Sequence, residues 1–258
     1  MEYEVSVGVF ALLGLAAFCS GYVDAVVGGG GLIQVPSLLM AFPQHGPASL
    51  FGTNKLASIV GTTSAAVQYA RRVAVPWKLA LPGALAAMVG AWFGARAVSY
   101  LDPAVIRPLV LGLLIAVAIY TFAKKDFGTQ AGLTRYETRH VAWVVVIALT
   151  VGFYDGFFGP GTGSFFIFLL ARFLQMDFLN ASVTAKILNV ATNLAAIAYF
   201  SLNVTVLWSV GLLMALCNLS GAVIGSRMAI RHGAQFVRKM FLGVVSVLIL
   251  KMSYDLLA

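Results

Sequence analysis

Charged side chains are scarce in this chain of 258 residues. Asp, Glu, Lys and Arg make up 10% of it, whereas hydrophobic residues make up 60%. Average soluble domains carry about 25% charged residues. So few polar side chains could not cover a globular surface, and lipid must therefore surround much of the chain. The composition predicts an all-α polytopic membrane protein.

Metal-ligating residues are also few. The two cysteines, Cys19 and Cys217, lie in separate apolar runs and form no CxxC spacing. The three histidines, His45, His140 and His232, fall in separate loops or helix ends. The sequence therefore predicts no metal site, no disulfide and no cofactor.

Catalytic and nucleic-acid motifs are missing as well. No HExxH, GxSxG or Walker phosphate loop occurs, and Ile33 interrupts a dinucleotide fingerprint that would start at Gly28. We therefore expect the protein not to be an enzyme. The net charge of +8 is not gathered into a basic stripe with polar surroundings, so nucleic acid is not an expected partner.

Long apolar runs account for most of the chain. The acidic N-terminus lacks the positive region of a signal peptide, so the first run is expected to remain as a transmembrane helix. The predicted segments are Val5–Val27, Leu32–Phe42, Ala48–Ala70, Leu79–Val98, Val105–Ala123, Val141–Phe158, Ser164–Phe173, Leu179–Phe200, Val206–Met228 and Phe236–Leu257. Leu32–Phe42 and Ser164–Phe173 are too short to span a membrane and are predicted to be half-helices.

The second half of the chain repeats the first at an offset of 131 residues. The offset pairs scarce residue types: Asp24 with Asp155, Lys55 with Lys186, Trp77 with Trp208, Arg96 with Arg227, and Arg107 with Arg238. These matches predict a first transmembrane repeat over 1–123, a polar cytoplasmic linker over 124–140 and a second repeat over 141–258.

The basic residues predict the orientation of the repeats. Most Lys and Arg residues, including Arg71, Arg72 and Lys78, fall in loops on one side, which is therefore expected to be cytoplasmic. Both termini are then periplasmic or extracellular. Arg96 and Arg227 are equivalent positions that fall on opposite sides, so the two repeats are predicted to be inverted.

Each half breaks its first long helix with glycines shortly after an aspartate. Gly28 and Gly30 follow Asp24, and Gly159 and Gly161 follow Asp155. A broken backbone at membrane depth is tolerated only where protein buries it or where it lines a cavity. Discontinuous helices at matching positions of two halves indicate a transporter binding site. Each repeat is thus predicted to be a glycine-broken helical hairpin followed by three transmembrane helices.

Lys55 and Lys186 are the most informative charged residues, because a charge in mid-membrane costs at least about 2.5–3.5 kcal/mol. One hypothesis is that both amines face a central cavity and bind an anion together with N–H groups at the breaks. Another is a structural ion pair of Lys55 with Asp24 and of Lys186 with Asp155. The two hypotheses are compatible. The aspartates could also cap helices or carry protons for coupling, but ion pairing is the simplest interpretation.

Seven further polar residues lie near the breaks: Gln34, Thr53, Asn54, Ser164, Thr184, Asn189 and Asn193. Of these, Thr53, Asn54, Thr184 and Asn189 are candidate substrate contacts. Hydrogen bonding between helices is the simpler interpretation of each of them.

The segment Asp24-x-x-x-Gly-Gly-Gly-Gly-Leu-Ile-Gln-Val-Pro36 and the segment Asp155-x-x-x-Gly-Pro-Gly-Thr-Gly-Ser164 resemble the paired glycine-rich signatures of the sulfite exporter TauE/SafE family. Thr53-Asn54-Lys55 and the two-half layout extend the resemblance over the whole chain. The resemblance implies a transporter in the bacterial inner membrane that exports sulfite or an organosulfonate. Pro160 stands where the first half has Gly29, which predicts a stiffer second break.

Two other functions stay open. A cation or metal permease would use Asp24 and Asp155 as ligands, although Met, Cys and His are absent near the breaks. A non-transporting membrane scaffold would not need polar breaks in both halves. The expected partners are a small anionic substrate and the lipid bilayer, and the sequence leaves homo-oligomerisation open.

Overall fold

The computed structural model describes residues 7–102 and 137–257, with side chains described as far as Gly233. Every regular element in these ranges is an α-helix: α1 (Val7–Val27), α2 (Gly31–Ala41), α3 (Pro47–Ala70), α4 (Trp77–Ser99), α5 (Thr138–Phe157), α6 (Thr162–Phe173), α7 (Phe178–Asn203) and α8 (Trp208–Leu257). The all-helical prediction is confirmed. The segment Val105–Ala123 and most of the linker 124–140 lie outside the described residues.

Five of the described helices are long and apolar enough to cross a membrane: α1, α4, α5, α7 and the part of α8 that ends at Gly233. Gly233 has φ 69° and ψ −167°, which interrupts the helical geometry of α8 between the two segments predicted there. The shorter α2 and α6 are the two predicted half-helices.

Local sequence signals account for several helix ends. Pro47 occupies the first turn of α3, where the missing N–H costs nothing. The Asp177 carboxylate accepts the N–H groups of Leu179 and Asn180 at 3.0 and 3.1 Å and so caps α7. Glu137 and His140 form a reciprocal capping box, so α5 begins at Thr138, three residues earlier than predicted.

The closest helix contacts come in two equivalent sets, and each set joins the two halves of the chain. In α8, Gly221 and Gly225 lie against the backbone of Phe18 and Tyr22 in α1. At the equivalent positions of α4, Gly90 and Gly94 lie against Leu149 and Phe153 in α5. Small residues allow this close approach. In each set, residue numbers increase in the same direction along the two contacting helices. Helix α1 therefore runs parallel to α8, and α4 runs parallel to α5.

Both half-helices fold back along the helix that precedes them. At the end of α2, Leu38 and Phe42 join the cluster that contains Leu13 near the start of α1. At the end of α6, Phe173 stacks on Trp143 near the start of α5, with ring centroids 5.0 Å apart. Helices α1 and α2 therefore form one hairpin, and helices α5 and α6 form another. The tip of each hairpin is its glycine break.

We predict that Gly221→Ala and Gly90→Ala each destabilise the protein by about 1–3 kcal/mol, because the added β-carbon would overlap a carbonyl oxygen of Phe18 or Leu149. Gly46→Ala is the matched control, since its β-carbon would meet no atom within 4 Å. The measurement is the apparent melting temperature in detergent. A melting temperature of Gly221→Ala equal to that of the control would contradict this packing.

Candidate functional site

The tips of the two hairpins touch through their backbones. Ser164 donates its N–H to the Gly28 carbonyl at 3.3 Å and its hydroxyl to the Val27 carbonyl at 2.6 Å. A β-carbon on Gly163 would lie 2.5 Å from the Gly28 α-carbon. Gly28 also has φ 81°, a left-handed conformation that side chains strongly disfavour. Glycine is therefore required at this crossing for both conformation and space.

The second break is held by its own side chains. Gly159 and Gly161 have φ of 97° and 83°. The Tyr154 hydroxyl donates to the Pro160 carbonyl at 2.6 Å, and the Thr162 hydroxyl donates to the Gly159 carbonyl at 2.7 Å. In the first break, by contrast, Gly30 is right-handed (φ −56°), and its constraint is spatial, because a β-carbon would lie 2.5 Å from the Ser20 carbonyl oxygen.

Both buried lysines form ion pairs with an aspartate of the other hairpin. Lys55 Nζ lies 2.6 Å from Asp155 Oδ1, and Lys186 Nζ lies 3.0 Å from Asp24 Oδ2 and also donates to the Asp24 carbonyl. The pairing expected from the sequence, Lys55 with Asp24 and Lys186 with Asp155, is wrong. The partners are exchanged because the hairpin tips cross, so each carboxylate reaches the helix that follows the other hairpin.

Lys55 is also placed directly at the second break. A β-carbon on Gly159 would lie 2.9 Å from Lys55 Nζ. The lysine side chain is 4% exposed and the Asp155 side chain 2% exposed. The ammonium group is thus enclosed between a carboxylate and the left-handed turn that ends α5.

The two ion pairs differ, although the sequence repeat suggested near-equivalent sites. The Thr62 hydroxyl donates to Asp24 Oδ2 at 3.1 Å. The equivalent residue in the second half is Asn193, which donates to Asn189 Oδ1 at 3.3 Å instead. As a result, Asp155 Oδ2 is buried with no hydrogen-bond partner among the described residues, whereas the Asp24 side chain remains 14% exposed.

The other predicted contacts are spread over the structure. The Thr53 hydroxyl accepts the Leu207 N–H at 3.0 Å just before α8, and the Thr184 hydroxyl donates to the Asn180 carbonyl at 2.8 Å. Both threonines thus bond to backbone. Asn189 accepts from Asn193. Asn54, the residue before Lys55, is buried, and its Oδ1 has no hydrogen-bond partner in the described part of the chain.

Sequence analysis identified Gln34 as a polar residue near the first break but missed its buried neighbours, Ser20 and Asn218. Asn218 Nδ2 donates to Gln34 Oε1 at 3.1 Å and lies 3.5 Å from the Ser20 hydroxyl. The equivalent residues in the other half are apolar (Ala87, Phe165 and Val151), so the repeat gave no signal for this cluster. Thr62 could have been found, because it lies seven residues after Lys55 and hence on the same face of α3.

The described residues contain no group of three His, Cys, Asp or Glu side chains that could hold a metal ion. At the two breaks, each lysine ammonium group is paired with a carboxylate, and α2 and α6 begin just after the breaks.

The chain is similar over nearly its whole length to a known family of membrane proteins. The family model described as Sulfite exporter TauE/SafE matches residues 13–252. The probable membrane transporter protein ORF9 of Sinorhizobium sp is 37% identical over 253 residues, which cover 98% of this chain and 95% of that protein. The probable membrane transporter protein YfcA of Escherichia coli K12 is 30% identical, with 98% and 93% covered. No solved structure matches the chain.

The exchanged ion pairs predict a specific pattern of energetic coupling. Lys55→Met alone should cost about 3–5 kcal/mol, because it leaves Asp155 buried without its counter-charge. Asp155→Asn in the same chain should restore most of this loss, whereas Asp24→Asn should not. Double-mutant cycles on the free energy of unfolding in mixed micelles measure both couplings. A larger coupling of Lys55 with Asp24 than with Asp155 would refute the exchanged pairing.

Proposed function

Because the chain belongs to the sulfite exporter TauE/SafE family, we propose that this membrane transporter exports a small sulfur-containing anion, sulfite or an organosulfonate. Transport proceeds by alternating access at a site between the two repeats. The similar proteins are named membrane transporters rather than enzymes, which agrees with a role in moving a solute.

The observation that carries this proposal is the pair of buried lysine–aspartate contacts at the two helix breaks. A charge inside a membrane protein is costly, and the first hypothesis for such a charge is that it lies on an ion or substrate pathway. Lys55 Nζ lies beside Gly159 in the second break, and Lys186 Nζ contacts Asp24, four residues before Gly28 in the first break, so an anion bound at either lysine would lie near a break that precedes a half-helix. To bind, the anion must share or replace the carboxylate that now holds the lysine.

The candidate contacts have different roles on this proposal. Lys55 and Lys186 supply the charge, and the backbone at Gly28, Gly30, Gly159 and Gly161 supplies close approach. Asn54 and Asn189 are polar groups beside this region. Thr53 and Thr184 are weaker candidates, because their hydroxyls already bond to backbone. Asp24 and Asp155 control when each lysine is available, as ion-pair partners or as proton carriers.

Helix directions support an inverted arrangement of the repeats. Helix α3 runs parallel to α8. Thr53 bonds to Leu207, and further along both segments Gly61 contacts Asn218. Meanwhile α3 begins beside the end of α7, where Gly52 faces Phe200. Equivalent helices of the two halves, such as α3 and α7, then run in opposite directions. We propose accordingly that the two hairpins enter the bacterial inner membrane from opposite sides and that both termini face outward.

Cysteine accessibility tests this topology at matched positions. Lys78 and Ser209 are exposed and occupy the same place in the two repeats. In a background with Cys19 and Cys217 replaced by alanine, Ser209→Cys and Asn203→Cys should react with a membrane-impermeant maleimide in intact cells. Lys78→Cys and His232→Cys should react only after permeabilisation. Labelling of both matched positions from the same side would contradict the inversion.

Transport itself is tested by counterflow in proteoliposomes loaded with sulfite or methanesulfonate. The double variants Lys55→Met/Asp155→Asn and Lys186→Met/Asp24→Asn should remain folded but lose transport at least about tenfold, because a hydrogen bond to a charged group contributes about 1.5–3 kcal/mol. Gly46→Ala serves as the control for an innocuous change.

Full transport by both double variants would show that the lysines only hold the fold. Counterflow of a cation, with none of either anion, would replace the proposal by a cation permease that uses Asp24 and Asp155. Absence of any flux for the wild-type protein would favour a membrane scaffold.

A further inference from the structure

A cavity of about 820 Å³ lies between the C-terminal end of α3 and the part of α8 before Gly233. Four arginines line it: Arg71 and Arg72 directly after α3, and Arg227 and Arg231 on α8. Arg227 and Arg231 are four residues apart and therefore project from the same face of α8. The cavity is far along α3 from Lys55: Arg71 is 16 residues away, which is about 24 Å of helix.

Among the residues that the structure describes, no acidic side chain compensates the charge of these arginines. No Asp or Glu side chain lines the described wall of the cavity, and none of the four arginines forms an ion pair within the described ranges. Like charges one helical turn apart destabilise a helix. Four guanidinium groups around one cavity are therefore an arrangement that a bound anion would stabilise.

The remaining lining residues add hydrogen-bonding groups and apolar surface. Ser64 and Gln68 lie one turn apart on α3, with Gln68 Nε2 3.4 Å from the Ser64 hydroxyl. The aliphatic side chain of Val67 completes this wall and is 45% exposed. The cavity thus combines a cationic rim, polar groups in its wall and an adjoining apolar surface.

The equivalent groove in the other half has a different character. Arg227 has an arginine counterpart, Arg96, but Gln68 is replaced by Tyr199 and Arg231 by Tyr100. There Tyr199 packs edge-on against Trp92 with centroids 5.2 Å apart, and the Arg96 guanidinium lies over the Tyr100 ring at 6.0 Å. The same helix arrangement can therefore be closed with aromatic side chains. The cationic cavity is a feature of this sequence and not a consequence of the fold.

The preference for basic residues on one side of a membrane does not explain the arrangement either. That preference is met by Lys or Arg anywhere in the short loops. It requires neither arginine in all four places nor the convergence of four side chains on one cavity. Arginine differs from lysine in offering a planar fork that binds phosphate oxygens through two hydrogen bonds.

We propose that this cavity binds a phosphate group, separately from the transport site and whatever the transported solute is. The volume lies within the range of about 300–1,000 Å³ found for ligand pockets, so it can hold more than a bare inorganic ion. The phosphate can belong to the headgroup of an acidic phospholipid or to a free phosphate compound. The exposed apolar surface beside the rim suits an acyl chain in the first case.

The test measures binding to the purified full-length protein in detergent, at constant ionic strength. The probes are short-chain phosphatidylglycerol, short-chain phosphatidylcholine as the headgroup control, and inorganic phosphate. Arg227→Gln and Arg72→Gln should each weaken phosphatidylglycerol binding about tenfold, since each removes a charge-assisted hydrogen bond. Arg96→Gln and Lys78→Gln remove the same charge outside the cavity and should leave binding unchanged. Arg227→Lys keeps the charge and should recover only part of the affinity.

Three outcomes decide the proposal. Arginine-dependent binding of phosphatidylglycerol identifies a lipid site, and arginine-dependent binding of inorganic phosphate without a lipid preference identifies a solute site. Equal losses for Arg227→Gln and Arg96→Gln would overturn the proposal, because the effect would then follow net charge alone. Equal binding of phosphatidylcholine and phosphatidylglycerol, with no effect of inorganic phosphate, would also overturn it.

Discussion

A lysine ammonium group inside a nonpolar interior needs a counter-charge, and this requirement ties the two halves of the protein together. Lys55 and Lys186 are both buried, and each obtains its carboxylate from the other hairpin. Removing a partner from such a pair leaves a buried charge whose cost is several kcal/mol. Any motion of one half against the other must therefore keep these pairs, exchange their partners or supply a new anion.

The two hairpin tips meet through their backbones between the two ion pairs. Gly28 and Gly163 allow two interrupted helices to touch, and Ser164 bonds to the carbonyl groups that the break in α1 leaves open. These hydrogen bonds hold the tips together beside a shared apolar cluster that includes Val27 and Phe166. The surroundings of the two ion pairs also differ. Asp24 has a hydroxyl partner and some exposure, whereas Asp155 is enclosed with one oxygen unsatisfied.

The sequence predicts the helices well, because membrane-length apolar runs and glycine breaks are strong local signals. Most of the observed ends lie within three residues of the expected ones. The two lysines and two aspartates stand out because charges are scarce. Their pairing could not be predicted in the same way, since an offset of 131 identifies equivalent residues and not contacting ones. Ser20 and Asn218, which form a cluster with Gln34, were missed for a related reason, because neither has a polar counterpart in the second half.

The helix partners have a consequence for how the protein is made. The close glycine contacts of α1 are with α8, and those of α4 are with α5. While the ribosome is still synthesising the second half, the first four helices have entered the membrane without these neighbours, and Lys55 lacks Asp155, its partner in the folded protein. The first half therefore stays incompletely packed at this stage, and its packing is completed only when the helices of the second half have been inserted. Truncated chains that end before α5 should accordingly be recognised and degraded by membrane quality control.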